Sequence, residues 1–130
     1  MILLDTSFLI DYFKGVEATR RIVDGEEVAT TVINYHEISA GLKRRKAKRE
    51  EMFFKRFFAS IPVLEYDLRA AEESSNIAAM LLATGREVNA LDILIAGIAL
   101  ANGIEKIATR DKDFQEIEKV SDIEIITYEK

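Results

Sequence analysis

Met1-Ile2-Leu3-Leu4-Asp5-Thr6-Ser7 opens the chain. Four apolar residues run without alternation and stop at a carboxylate followed by two hydroxyls. Such a run reads as a short strand buried on both faces, which suits a parallel sheet covered by helices. The residues beyond it keep changing period. Phe8–Phe13 reads as a helical turn or two, Val16–Asp24 as a second short helix and Val28–Thr30 as a strand. Thr31 opens a helix to about Arg45, with Ile33, Glu37, Ala40 and Gly41 on one stripe. Glu50–Ala59 is a helix carrying Phe53, Phe54, Phe57 and Phe58. Pro62–Leu64 is a strand, and Asp67–Thr84 a long helix stopped by Gly85. Ala90–Ala101 is apolar nearly all round, so it should be buried on several sides. Asn102-Gly103 stops it. Ile104–Thr109 is a strand, Phe114–Lys119 a short helix and Ile123–Thr127 a last strand. This alternation predicts a three-layer α/β/α domain with a mainly parallel central sheet, one domain over residues 1–130. Sheets of that kind bind ligands beyond the carboxyl ends of their strands.

Composition narrows the chemistry. The 130 residues are 48% hydrophobic and 32% charged, against a usual charged share of about 25%. There is no Cys and one His, His36. That excludes a thiol nucleophile, disulfides and multi-His or Cys-ligated metals, so any metal is a hard cation held by oxygen. No apolar run approaches the roughly 20 residues of a membrane span. No signal-peptide pattern is visible at the start, so a cytoplasmic protein with no membrane partner is expected. The net charge of −5 argues against a nucleic-acid binder. Lys43-Arg44-Arg45-Lys46-Ala47-Lys48-Arg49 is nevertheless a dense basic block.

The expected strand ends carry acids. Asp5 follows the first strand and Asp111 the strand Ile104–Thr109. Asp92 is the only charge in Ala90–Ala101, and Glu37 lies on the inward stripe of its helix. Carboxylates gathered at one sheet edge are costly to ionise together, and Mg²⁺ or Mn²⁺ would relieve that cost while leaving room for a phosphate. The chemistry that follows is metal-assisted phosphodiester hydrolysis. Each acid also has a plainer account. Asp5 can cap the next helix, Asp92 can close a capping box opened by Asn89, Asp111 can be a turn residue, and a rotated helix would put Glu37 in water.

Four segments taken in order resemble the PIN-domain family, and within it the VapC-type toxin ribonucleases of toxin–antitoxin pairs. They are Leu3-Leu4-Asp5-Thr6-Ser7, Tyr35-His36-Glu37-Ile38-Ser39-Ala40-Gly41, Leu91-Asp92-Ile93-Leu94-Ile95-Ala96-Gly97-Ile98-Ala99 and Ile107-Ala108-Thr109-Arg110-Asp111-Lys112-Asp113-Phe114. The resemblance implies a Mg²⁺ or Mn²⁺ site, cleavage of single-stranded RNA, a homodimer and a cognate antitoxin protein. It implies Asp5, Glu37, Asp92 and Asp111 as catalytic and metal-site carboxylates, Asp113 as a further candidate ligand, and Thr6, Ser7 and Thr109 as supporting hydroxyls. Ser7 stands where Asn is also frequent in the family. Between the last two acids, Asp113-Phe114-Gln115-Glu116 has capping-box spacing. Asp113 is therefore expected to cap the helix and Asp111, without such local employment, to face the metal.

His36 neighbours Glu37, but adjacent helix residues point about 100° apart, so His36 reads as structural or solvent-facing. Lys43, Arg44, Lys46 and Lys48 are candidate RNA-phosphate contacts. A solvated helix face and a surface for an acidic partner are the other readings of that block. One pair of the phenylalanines is expected to pack on the domain, the other being free for an antitoxin helix or a dimer mate. Two rival functions remain. A catalytically silent PIN-like domain would only bind partners. A haloacid-dehalogenase-type phosphatase would need a second Asp two residues after Asp5, where this chain has Ser7.

Overall fold

The computed structural model describes residues 1–130. In chain order the elements are β1 (Ile2–Leu4), α1 (Thr6–Phe13), α2 (Glu17–Val23), β2 (Val28–Thr31), α3 (Val32–Arg44), α4 (Lys48–Ser60), β3 (Val63–Leu64), α5 (Leu68–Ala83), α6 (Ala90–Ala101), β4 (Lys106–Ala108), α7 (Asp113–Lys119) and β5 (Glu124–Ile126). The strands form one sheet in the order β3-β2-β1-β4-β5, and every pairing is parallel. β1 lies in the middle, with Leu3 in register with Ala29 of β2 and Ile107 of β4.

Strand side chains alternate between faces, and three residues of β1 suffice to build two cores. Leu3 points with Ala29 and Ile107 into a layer of Ile77 and Leu81 from α5, Ile95, Ala96 and Ala99 from α6, and Phe114 and Ile117 from α7. Ile2 and Leu4 point the other way with Ala108, against Phe8 and Leu9 from α1, Ile38 and Leu42 from α3, and Phe58 from α4. The chain is therefore the expected three-layer α/β/α arrangement, and its sheet is parallel throughout. No helix is long and apolar enough to cross a membrane.

Local signals set the helix phases. The Thr31 hydroxyl accepts the Asn34 N–H and caps α3, and Asp67 caps α5 through the Ala70 N–H at 2.9 Å. The Thr31 cap turns α3 so that Asn34, Ile38 and Leu42 are its buried residues. This corrects the predicted stripe by one position, leaving Ala40 exposed and Glu37 half-buried at the margin. α5 and α6 meet backbone to backbone at Gly97, where a Cβ would lie 2.6 Å from both the Ala70 carbonyl oxygen and the Ser74 Cβ.

Gly97→Ala should therefore lower stability by about 1–3 kcal/mol through overpacking. Gly41→Ala, with nothing within 4 Å of its Cβ, should raise it by about 0.5–1 kcal/mol, as for any helix-interior glycine. Thermal melts of the two variants side by side check the contrast, and equal shifts would refute the backbone contact.

Candidate functional site

β1 runs straight into α1, and Asp5 sits at the junction, almost fully buried. It occupies the N-cap position of α1 yet makes no side-chain cap bond. Its carboxylate is instead held from three other places. Asn34 Nδ2 donates to Oδ1 at 3.0 Å, Thr109 Oγ1 to Oδ2 at 2.8 Å, and Ser7 Oγ to Oδ2 at 3.4 Å. Burial pushes the Asp5 carboxyl up to about 6, and the charge of Glu37 adds to that rise, against the lowering by its Thr109 and Asn34 bonds. Glu37 accepts a bond from Thr6 Oγ1 at 2.9 Å, and Asn34 Nδ2 also reaches that hydroxyl at 3.0 Å. Thr6 and Asn34 thus link Asp5 to Glu37.

Asp92 is 4% exposed in the first turn of α6. A capping box would send its carboxylate back to the Asn89 N–H. That N–H is already taken, across the structure, by Asp113 Oδ2 at 3.0 Å, while the Asn89 side chain caps Leu91 N–H at 2.9 Å. Asp92 Oδ2 is left buried with no hydrogen-bond partner. Buried polar atoms are seldom left so. Burial above all, then neighbouring Asp111 and the charges of Asp5 and Asp113, push the Asp92 carboxyl up to about 9. Carboxylate oxygens of Asp92, Asp111 and Asp113 lie within 4.8 Å of one another. An oxygen-only donor set with one orphaned member fits a hard divalent cation. Asp5 and Glu37 flank this trio and are not part of it.

The structure brings both of the last two acids into the trio, so Asp111 lies where it was expected, but the capping role expected of Asp113 fails. α7 begins at Asp113 itself, with no side-chain cap. Asp111 Oδ1 accepts the Asp113 N–H at 2.9 Å, so Asp111 holds the local turn and Asp113 reaches out to α6. Glu116 does not complete a box either. It pairs with Arg86 and with Lys119. The reason is tertiary, because the Asn89 N–H is a partner that sequence spacing does not reveal. His36 is exposed, as expected. Thr6, Ser7 and Thr109 all bond within the site.

The basic block is not one continuous helix face: Lys43 and Arg44 end α3, Lys48 and Arg49 begin α4, and the turn between them holds Lys46 at φ 56°. Beside it a groove of about 480 Å³ starts at Thr6 and Glu37. Its apolar walls include Ile10, Phe13 and Phe54, and its cations are Lys14, Arg44 and Arg45. Of the four candidate phosphate contacts only Arg44 lines it. Lys43 lies 3.9 Å from Glu51, and Lys46 and Lys48 are not among its walls. Phe13 packs edge-on against Phe53, Phe54 and Phe57, and Phe58 is buried. Three of the phenylalanines of α4 are therefore wholly or partly buried, which leaves Phe53 with Met52 at the exposed edge.

Sequence reasoning missed Asn34, Lys14 and the pair Asp11–Arg110, and within the basic block it did not single out Arg45. Asn34 had a signal. It follows the Thr31 cap by three residues and precedes Glu37 by three, so both lie on one side of α3.

Comparison with known proteins bears on this geometry. A family model described as PIN domain matches residues 2–120. The tRNA(fMet)-specific endonuclease VapC of Shigella flexneri is 28% identical over 119 residues, covering 88% of this chain and 90% of that protein. VapBC2 from Rickettsia felis, bound to a DNA fragment from its promoter, superposes with a TM-score of 0.84 at 16% identity over 99% of this chain and 100% of that one. VapBC-5 from Mycobacterium tuberculosis, a member of the VapBC family of toxin–antitoxin systems, gives 0.79 at 24% identity over 97% of each chain.

A pH dependence follows from Asp92. Its folded-state value lies above its unfolded one, so between them the folded protein holds a proton that the unfolded chain has lost. Stability without metal should then fall as pH rises from about 4 to 9, at up to about 1.4 kcal/mol per pH unit. Asp92→Asn should flatten this slope in chelator-treated samples. Melting curves across that range are the check, and an unchanged slope in the variant would refute the assignment.

Proposed function

The chain belongs to the PIN-domain family, and from that premise we propose that it is a Mg²⁺- or Mn²⁺-dependent endoribonuclease acting on single-stranded RNA, the toxin of a toxin–antitoxin pair. The observation that carries the reading is the orphaned Asp92 carboxylate within a converging set of acids. PIN-domain proteins include nucleases, and the Shigella relative is named as a tRNA endonuclease. Asp92, Asp111 and Asp113 would hold the cation, with Asp5 and Glu37 beside them. A divalent cation bound there acidifies water and offsets charge on phosphoryl oxygens. The chain's own residues do the rest. Asn34, Thr109 and Ser7 keep Asp5 in one orientation, Thr6 does so for Glu37, and burial keeps bulk water from Asp92.

The groove from Thr6 to Arg45 supports the choice of polymer. Lys14, Arg44 and Arg45 suit the phosphates of a strand entering the acidic centre. The same groove, with Phe53 and Met52 exposed on nearby α4, suits the cognate antitoxin. Exposed Val32, Tyr66 and Leu68, at the carboxyl ends of β2 and β3, suit the homodimer. The reading puts the protein where transcripts are, in the cytoplasm.

Cleavage of a single-stranded RNA should need Mg²⁺ or Mn²⁺ and stop in EDTA, and Asp92→Asn should abolish it while keeping the fold by circular dichroism. Undiminished cleavage in EDTA would overturn the proposal. Replacing Arg44 and Arg45 together with Gln should lower the log–log salt slope of RNA binding by about 1.4, the share of two phosphate contacts on a single strand. Binding titrations at several salt concentrations test that value, and an unaltered slope would remove the groove from the RNA path.

A further inference from the structure

Asp11 is an acid that the function leaves unused. Its side chain is 0% exposed. Arg110 Nε donates to Oδ2 at 2.6 Å and Nη2 to Oδ1 at 3.2 Å, Tyr128 Oη donates to Oδ2 at 2.7 Å, and Lys130 Nζ lies 3.6 Å from Oδ1. Burial alone would raise the Asp11 carboxyl, but the Arg110 and Tyr128 bonds and the charges of Arg110 and Lys130 outweigh it and hold it below the usual range. It stays an anion. A two-point guanidinium–carboxylate fork fixes direction as well as distance.

What the fork aims at is the backbone of the site. Ser7 and Asp11 are four residues apart on α1 and share a face. Ser7 Oγ accepts the Arg110 N–H at 3.0 Å, and Asp11 takes the Arg110 guanidinium. One face of α1 thus grips residue 110 at both its main chain and its side chain. Arg110 lies between Thr109, whose hydroxyl holds Asp5, and Asp111 of the acidic trio. The Asp111 N–H in turn donates to Thr109 Oγ1 at 2.9 Å. Residues 109–111 belong to no helix or strand, so this grip replaces the order that a regular element would supply.

We propose that Asp11 is a positioning residue: through Arg110 it holds the Thr109–Asp111 backbone against α1 and so sets the relative placement of Asp5 and Asp111. Tyr128 donates to the same Asp11 oxygen as Arg110 Nε and helps to orient it, its ring edge-on to Phe8 at 5.5 Å. The inference rests on the proposed nuclease reading for its kinetic consequence only, because the grip itself can be read without RNA or metal.

The test uses Asp11→Asn, Arg110→Ala, the double variant and Arg110→Lys in the full chain. In metal-free buffer, amide hydrogen exchange should quicken at Arg110 and Asp111 by tenfold or more in Asp11→Asn and Arg110→Ala. Leu3 and Ile107 in the sheet should keep their protection. Unchanged exchange at 110 and 111 would overturn the proposal, and so would a uniform rise that includes Leu3 and Ile107, which marks a merely structural role. In the RNA assay with Mn²⁺, kcat should fall about 10–100-fold, as for residues that orient metal ligands, with KM within twofold. The double variant should lose no more than the worse single one, as expected for one shared interaction. Arg110→Lys, which keeps charge without the fork, should recover part of kcat. A rise in KM alone would make Arg110 an RNA contact and also overturn the proposal. Selective exchange in a wild-type protein that cleaves nothing would keep the positioning role and sink the nuclease reading instead.

Discussion

Two carboxylates are buried where the middle strands of a parallel sheet end, and the two are treated differently. Asp5 has Asn34, Thr109 and Ser7 around it. Asp92, only 4% exposed, has an oxygen with no partner at all. Burying an unpaired carboxylate is among the more costly things a fold can do. The surroundings are nonetheless arranged to bring more negative charge closer. Asp111 is held by its own turn, and Asp113 by the N–H of Asn89, the N-cap of the helix that carries Asp92. A structure that spends hydrogen bonds on assembling mutual repulsion makes sense when a cation belongs to its working state, which is why the proposed function starts there.

The architecture was legible where one physical signal dominated. Met1–Leu4 and Ala90–Ala101 are so apolar that burial is expected of them, and Ile2–Leu4 and most of α6 do lie in the core, while Met1 and Ala90 are exposed. The Thr31 and Asp67 signals placed the starts of α3 and α5 within a residue. The reading failed where a partner came from far along the chain. The phase of α3 was off by one because the Thr31 cap, and not the apolar count, sets it. The cap expected of Asp113 is absent because Asp113 answers to Asn89, 24 residues earlier, while Asp111 joins the acids as read. Asp11 lies on a short helix and drew no reading from the sequence. Nothing nearby in sequence announces Arg110, 99 residues on.

The groove joins two kinds of surface that seldom need to coincide. Its lining combines Glu37, Glu50 and Thr6 with the cations Lys14, Arg44 and Arg45 and the aromatic rings of Phe13 and Phe54. Phosphate needs the cations and a protein segment needs the aromatic wall, and both would lie against Glu37, which Thr6 and Asn34 link to Asp5. Under the proposed function, occupancy of one short channel is enough to decide between activity and silence. No change of fold is required.

The sheet order carries a consequence for how the protein is made. β1 lies between β2, which follows it closely in the chain, and β4, which comes near the end. The Thr109–Asp5 bond spans 104 residues. At ribosomal speeds of about 5–20 residues per second, Asp5 waits roughly 5–20 s for that partner, and Asp111 arrives later still. A ribosome translating this message thus carries a chain whose first acids are present but not yet assembled with the last ones. Under the proposed function, the transcript being read stays out of reach of its own product until residues 109–113 have been made.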